Sequence, residues 1–420
     1  MRVLWFTNTA SLYDQGKHHY NGGGWIESLE KLIINRNEIE LAIAFFHPND
    51  NQKVFKNGVL YYPILRKIKK NNIFKIIFNN WMGSLFDDNK IERYLTIIQD
   101  FKPDIIQVFG TERSFSLIQE HTNLPVIIHL QGLLNPILNT YFPVECSKID
   151  FVFSPNYLIK NLLGTAPAFG FRTLRKQAYR EKLILKNAFI VLGRTEWDKQ
   201  IVRLFNPHVK YYHIDEVLRQ DFYEIHPNKK LIDPEKKIII LSTLSPTIYK
   251  GIDIVFKTAK KINELTDIDF EWRIIGIESS SEIVKFFERK ESINHQDVNV
   301  LFKGKMNSME VKEEMYLSDI FVHPSYIDNS PNSVCEAQMV GMPVIACDVG
   351  GVNSLISHKK TGILVPSNGI YEIVHYIQLL KNDLKLRFQI SEYGKSEAMK
   401  RHDREDIVNN LINVYKEVGK

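Results

Sequence analysis

Cysteine is scarce: Cys146, Cys335 and Cys347 are the only three in 420 residues. None stands in a Cys-x-x-Cys or Cys/His spacing, so neither a disulfide framework nor a structural zinc site is supported, and a reducing compartment is expected. Long apolar runs are missing too. No stretch of about 18 apolar residues occurs, and the run in Met1–Thr9 is too short for a secretory signal, so the expectation is a cytoplasmic protein, with at most peripheral contact with a membrane. Neither sign of charge is in excess: 54 Lys and Arg face 49 Asp and Glu, a net +5, which argues against nucleic acid as a partner. Repeats at solenoid period and low-complexity segments are also absent.

What remains is the balance of a soluble globular chain, 44% hydrophobic and 25% charged. At about 100–200 residues per domain, this length allows two domains. Short β-rich runs alternate with helical patterns almost throughout, the signature of parallel sheets flanked by helices. In the first half, strands are expected at Val3–Phe6, Glu40–Phe46, Ile105–Val108, Pro125–Leu130, Phe151–Ser154 and Phe189–Gly193, with a helix at Trp25–Ile34. In the second half they are expected at Lys237–Leu241, Glu271–Ile277, Val298–Phe302, Ile320–His323, Pro343–Cys347 and Gly362–Val365, with helices between. The fold class is therefore α/β, with two facing Rossmann-like, doubly wound domains and a cleft between them. The polar stretch Asp215–Lys236 is the expected hinge, dividing 1–214 from 215–403, and a terminal helix over 404–420 is expected to return to the first domain.

In open parallel sheets, ligands meet the loops that follow the strands, so those loops carry the candidates. Asn21-Gly22-Gly23-Gly24 precedes a helix, and its glycines permit close approach of backbone amides to an anion. It is not G-x-G-x-x-G and does not imply a dinucleotide; the alternative is a plain turn. Ser242–Lys250 follows a strand and places Lys250 where the next helix opens, a poor position against the macrodipole unless an anion lies between. The segment Phe321–Ala337 runs from a strand through a polar loop into a helix near Ser333. It holds Asp328 eight residues before Glu336, although Ser333 and Glu336 also fit a capping box. His129 ends an apolar strand, a placement that suits a site as well as a hydrogen-bonded core position. Asp267-Ile268-Asp269 has a spacing known from metal sites but falls between a helix and a strand, and reads as a solvated turn.

Phe321–Pro366, with its Pro-Ser, Asp-x7-Glu, Glu-Ala, Gly341–Ala346, Gly350-Gly351 and Thr361–Pro366, resembles the donor half of retaining glycosyltransferases of family four. Gly22–Gly24, His129 and Lys250-Gly251 follow in that family's order. The resemblance implies the GT-B fold and transfer of a sugar from a UDP- or GDP-sugar to a glycan or lipid-linked acceptor, in polysaccharide or glycoconjugate biosynthesis, with no metal or other cofactor. It implies that Glu336 holds the ribose hydroxyls and that Asp328 faces the donor sugar. Ser330, Pro331, Asn332, Ser333 and Val334 would then offer amides to the diphosphate, with Lys250 neutralising it and Gly23 and Gly24 letting it approach. His129 would meet the sugar near its anomeric carbon, and Met306 the base; the family often places an Arg a few residues before the Lys-Gly pair, where this segment offers Ser242, Thr243 and Ser245. Asp328 replaces the usual Glu, and Ser354 replaces a Glu after the glycine pair.

Same-face attack by the acceptor is the expected chemistry; inversion would require a base, for which His129 is the nominee. A sugar-nucleotide epimerase, a phosphorylase and a two-domain binding protein are the rivals. Leu65–Lys75 and Phe171–Lys186 mix basic and apolar residues, as surfaces that meet anionic lipid do. Arg194–Asp198 either lines the acceptor side or caps a helix.

Overall fold

In the computed structural model, residues 1–14, 24–48, 50–66, 73–87, 90–224 and 236–419 are described. The chain divides into two units. One comprises Met1–Asn139, Asn161–Val217 and His402–Lys420; the other comprises Thr140–Lys160 and Leu218–Arg401. The division thus falls three residues beyond the expected 214, and residues 140–160, assigned from sequence to the first half, group with the second. Half of the expected hinge, 225–235, lies outside the described residues.

The first unit holds an eight-stranded sheet: β1 (Arg2–Thr7), β2 (Glu40–His47), β3 (Val54–Lys56), β4 (Val59–Leu65), β5 (Ile105–Phe109), β6 (Val126–His129), β7 (Ile190–Gly193) and β8 (Lys210–His213), in the order β3-β4-β2-β1-β5-β6-β7-β8. All neighbours are parallel except β3 and β4. Parallel strands covered on both faces are apolar along their length, as in Val3–Phe6 and Ile105–Phe109, which lack the alternation of a half-solvated sheet. The β3–β4 hairpin was not anticipated, although its signal is present: Asn57-Gly58 takes φ of 52° and 81°, the pair of positive angles a two-residue hairpin requires.

The helix Arg404–Val418 belongs to this unit. Its Tyr415 hydroxyl accepts from Trp5 Nε1 at 3.0 Å and donates to Gln107 Oε1, which ties the end of the chain to β1 and β5.

The second unit holds six parallel strands: β9 (Ile238–Thr243), β10 (Phe270–Ile275), β11 (Val300–Gly304), β12 (Ile320–His323), β13 (Val344–Cys347) and β14 (Ile363–Val365), in the order β11-β10-β9-β12-β13-β14. The helix Ile252–Leu265 buries Ile252, Val255, Phe256, Ala259 and Ile262, the face its spacing predicts.

One expected strand is a helix. Phe151–Ser154 lies largely within Lys148–Phe153, because Asp150 accepts both the amide and the hydroxyl of Ser147 at 2.6 and 2.7 Å and so starts a helical turn. Phe151 then stacks on Phe286 with centroids 4.3 Å apart, which explains why this segment groups with the second unit.

Candidate functional site

The strand order of the second unit reverses between β9 and β12, and the loops leaving their carboxyl ends hold most of the candidates. Lys250 closes a short turn, Ile248–Lys250, after β9. Gly251 follows with φ of 82°, and a Cβ there would lie 2.1 Å from the Pro324 carbonyl oxygen. Only glycine lets the two loops touch at this point. Gly350 does the same from the β13 side: at φ of 56° its Cβ would lie 2.0 Å from the Asp328 carbonyl oxygen, which accepts the Gly351 amide at 3.0 Å.

So held, Asp328 meets Lys250, Nζ to Oδ2, at 2.5 Å. His323, the last residue of β12, places Nε2 3.2 Å from the same oxygen. Burial opposes ionisation of Asp328, but the Lys250 ammonium and the His323 ring outweigh it and hold the carboxyl well below its usual range. Burial likewise opposes the charge on Lys250, and Asp328 more than compensates, raising it. Their side chains remain 23% and 18% exposed, so the pair is reachable from outside.

The helix Asn332–Met339 starts directly after this loop. Pro331, its N-cap, accepts the Val334 and Cys335 amides through its carbonyl, and the Asn332 and Ser333 amides occupy the open first turn. The expected capping box is not formed. Glu336 instead receives Arg219, Nε to Oε1 and Nη2 to Oε2, both at 2.7 Å. Ser325 Oγ, Asn332 Oδ1 and His323 Nδ1 are buried without a hydrogen-bond partner among the described residues. Buried polar atoms left open in this way mark a place where a ligand completes the bonding.

Beneath the loop, Tyr326 donates to Asp253 at 2.5 Å. Burial pushes the Asp253 carboxyl up to about 6.

The remaining candidates are spread more widely. Thr243 ends β9, and Met306, half-buried, lies in the loop between β11 and the helix Ser308–Leu317. Ser308 bonds Asp221, in the turn next to Arg219. Gly24 is the first residue of the helix Gly24–Ile33 in the first unit, and Gly23 lies outside the described residues.

His129 ends β6 in the first unit, fully buried against Trp25 and Phe109 at 5.3 and 5.4 Å. Gln107 Oε1 accepts the Tyr415 hydroxyl, so its Nε2 is the donor that meets His129 Nδ1 at 3.1 Å. That bond assigns the ring proton to Nε2, which has no partner among the described residues. Burial, with Arg194 second, pushes the ring down to about 3. His129 is therefore a neutral donor and not a base at neutral pH.

Arg194–Asp198 resolves toward structure: Thr195 and Asp198 form the capping box of the helix Glu196–Phe205, and Arg194 pairs with Glu216. Asp267 and Asp269 are exposed ahead of β10, at the opposite end of the strands from Lys250. Among the described residues, no group of three or more His, Cys, Asp or Glu is arranged to hold a metal ion. Sequence reasoning missed His323 and Arg219. His323 carries the same signal as His129, a polar end to an apolar strand; Arg219 carries none.

Residues 222–397 match the family Glycosyl transferases group 1. An uncharacterized glycosyltransferase of Haemophilus influenzae is 30% identical over 174 residues, which are 40% of this chain and 46% of that protein. The N,N'-diacetylbacillosaminyl-diphospho-undecaprenol alpha-1,3-N-acetylgalactosaminyltransferase of Campylobacter jejuni is 23% identical over 195 residues, 46% of this chain and 48% of that protein. The chain thus spans about half the length of the curated relatives it matches. The sucrose-phosphate synthase of Thermosynechococcus elongatus superposes with a TM-score of 0.74 at 14% identity, over 99% of this chain and 98% of that one. The fold of both units is that of GT-B glycosyltransferases.

Proposed function

We propose that this chain, whose residues 222–397 match the Glycosyl transferases group 1 family, moves a sugar from a UDP- or GDP-sugar to a hydroxyl of a glycan or lipid-linked acceptor, with retention of configuration. The observation that carries this reading is the Lys250–Asp328 pair at the β9/β12 reversal, beside the open first turn of Asn332–Met339. An ammonium, two or more amides and the positive end of a helix suit a diphosphate.

In the reaction, the bond from the anomeric carbon to the diphosphate oxygen breaks, and that oxygen takes the electron pair. Lys250 and the amides of Asn332 and Ser333 stabilise the charge that develops there. The acceptor hydroxyl attacks from the same face and passes its proton to the departing phosphate oxygen. Asp328, held ionised, faces the sugar, and Glu336 takes the ribose hydroxyls. Thr243, Ser330, Pro331 and Val334 shape the diphosphate pocket, and Met306 meets the base. His129 donates from Nε2 to a sugar hydroxyl; a ring protonated at that nitrogen supports retention over an inverting mechanism that needs a base. The charge is handled by these groups with no metal or other cofactor.

The acceptor side faces lipid in this reading. The helix Ile73–Met82 buries none of its residues, and Ile73, Phe74, Phe78 and Trp81 are 62, 75, 60 and 42% exposed. Arg172 donates to the Trp81 carbonyl at 2.8 Å, which sets a cation at the end of this helix. No helix among the described residues is long and apolar enough to cross a membrane, and we place the protein in the cytoplasm, in peripheral contact with anionic lipid, in polysaccharide or glycoconjugate assembly.

The test is a thermal-shift screen of UDP, GDP, ADP and CMP and their sugar conjugates, followed by product analysis with the sugar nucleotide that binds. A nucleotide diphosphate near 100 times its dissociation constant adds about 2.7 kcal/mol of stability. Stabilisation by UDP or GDP, followed by glycoside formation, is expected. Stabilisation by none of them sinks the reading, and turnover of the sugar nucleotide to its epimer with no acceptor replaces it with the epimerase.

A further inference from the structure

We infer that Arg219 is a positioning residue that makes the donor site select ribose. The inference rests on the reading of Glu336 given above. Arg219 leads the turn Gln220–Tyr223, at the point where the chain enters the second unit, and its guanidinium carbon lies 5.0 Å from the centroid of the Phe222 ring. From there it makes two parallel bonds to the Glu336 carboxylate, both at 2.7 Å.

Geometry sets the consequence. A guanidinium that engages a carboxylate through Nε and one terminal nitrogen takes one lone-pair site on each oxygen and fixes the plane of the group. One acceptor site on each oxygen stays open, which is the number that the two adjacent hydroxyls of a ribose require. Glu336 is only 5% exposed, and Arg219 is its cation, with 29% of its own side chain exposed. Without Arg219 the carboxylate would be free to turn, and ordering it would fall on the nucleotide. A lysine in its place would keep the charge but present a single point and lose the plane. The turn itself is anchored, because Ser308 bonds Asp221, so the guanidinium is delivered from a fixed backbone.

The experiment measures equilibrium binding of UDP, 2′-deoxy-UDP, GDP, 2′-deoxy-GDP and inorganic pyrophosphate to the wild type, Arg219→Gln, Arg219→Lys and Glu336→Gln. A hydroxyl bonded to a charged acceptor is worth about tenfold or more in affinity, so the wild type should prefer the ribonucleotide by about tenfold. In Arg219→Gln and Arg219→Lys the preference should narrow to about twofold, with pyrophosphate affinity unchanged. Arg219→Lys keeps a cation beside the buried carboxylate and so covers the case in which Arg219→Gln fails to fold. Glu336→Gln should abolish the preference.

A ribose preference retained in both Arg219 variants overturns the inference, and so does an equal loss of pyrophosphate and nucleotide binding. A wild type that binds UDP or GDP without regard to the 2′-hydroxyl overturns it too, while leaving the diphosphate site in place. Binding of no nucleotide at all overturns both this inference and the proposed function.

Discussion

An inner strand of each sheet, β6 in one unit and β12 in the other, ends in a histidine, and these two histidines meet opposite surroundings. His129, at the end of β6, sits among Trp25, Phe109 and Gln107, and burial followed by Arg194 pushes it down to about 3. His323, at the end of β12, has Nε2 3.2 Å from the Asp328 carboxylate, which also holds Lys250. One local pattern, an apolar strand closed by an imidazole, thus yields an uncharged donor in one unit and a member of a charged cluster in the other. The strand decides only that the histidine stands at its carboxyl end; the residues that arrive from elsewhere decide its electrostatics.

The contrast is sharpened most by removing the charge. Lys250→Met should lower nucleotide-diphosphate affinity by about 10- to 100-fold, the scale of losing one hydrogen bond between charged groups. It should also destabilise the second unit, because Asp328 is left without its ammonium. Titration calorimetry and thermal melting read the two effects separately; unchanged affinity in a folded variant would remove Lys250 from the site. His129→Gln should leave that affinity within about twofold, and a loss as large as that of Lys250→Met would erase the distinction drawn between the units.

A smaller effect is expected on the apolar face of the first unit. Phe74→Ser with Trp81→Ser, at side chains 75% and 42% exposed, should weaken binding to vesicles carrying anionic lipid by about tenfold, since each apolar side chain buried in lipid contributes about 1.5–3 kcal/mol at most. Vesicle co-sedimentation checks it, with nucleotide affinity as the control. Equal binding by the double variant would end the proposal of membrane contact.

Acid response gives a subtler separation. Asp253 moves from 3.8 to about 6 on folding, with burial as the leading cause. Between those values the folded protein keeps a proton that the unfolded chain has released, so this group makes stability fall as pH rises from about 4 to 6, and the loss persists above. Asp328 acts in the other direction: its carboxyl is held low, so its contribution is present at neutral pH and is lost as pH falls below the usual carboxylate range. Asp253→Asn should therefore raise the melting temperature at pH 7 by a few degrees and leave it nearly unchanged at pH 4. Melting curves across this range test it; a variant destabilised at pH 7 would show that the Tyr326 bond outweighs the burial.

The smallest effect belongs to the helix that Arg194–Asp198 begins. Thr195→Ala removes the side-chain acceptor for the Asp198 amide and should cost about 1 kcal/mol in denaturant unfolding, with nucleotide affinity unchanged. A change in acceptor use would instead return this segment to the site.

Much of this was legible in the residues. Apolar runs covered on both faces announced parallel strands, and the alternation with amphipathic helices announced two doubly wound sheets, because a strand buried on both sides must be apolar along its length. Lys250, Asp328 and Glu336 were legible as candidates because polar residues after such strands stand where ligands bind. The helix at Lys148–Phe153 was misread as a strand because four apolar-rich residues carry no period of their own, and the Ser147–Asp150 box was the better signal. The return of Thr140–Lys160 to the second unit rests on Phe151 meeting Phe286, a contact between residues 135 positions apart in the numbering.

By itself the sequence determined most of the elements, their order and which strand-end loops carry the candidates, since periodicity and strand-end polarity act over a few residues. The tertiary structure alone decided the partners: that Lys250 answers Asp328, that Arg219 answers Glu336 across 117 positions, and that the proton of His129 is on Nε2. Charge and tautomer depend on atoms within about 4 Å, and for these groups the chain supplies those atoms from distant segments that only the fold brings together.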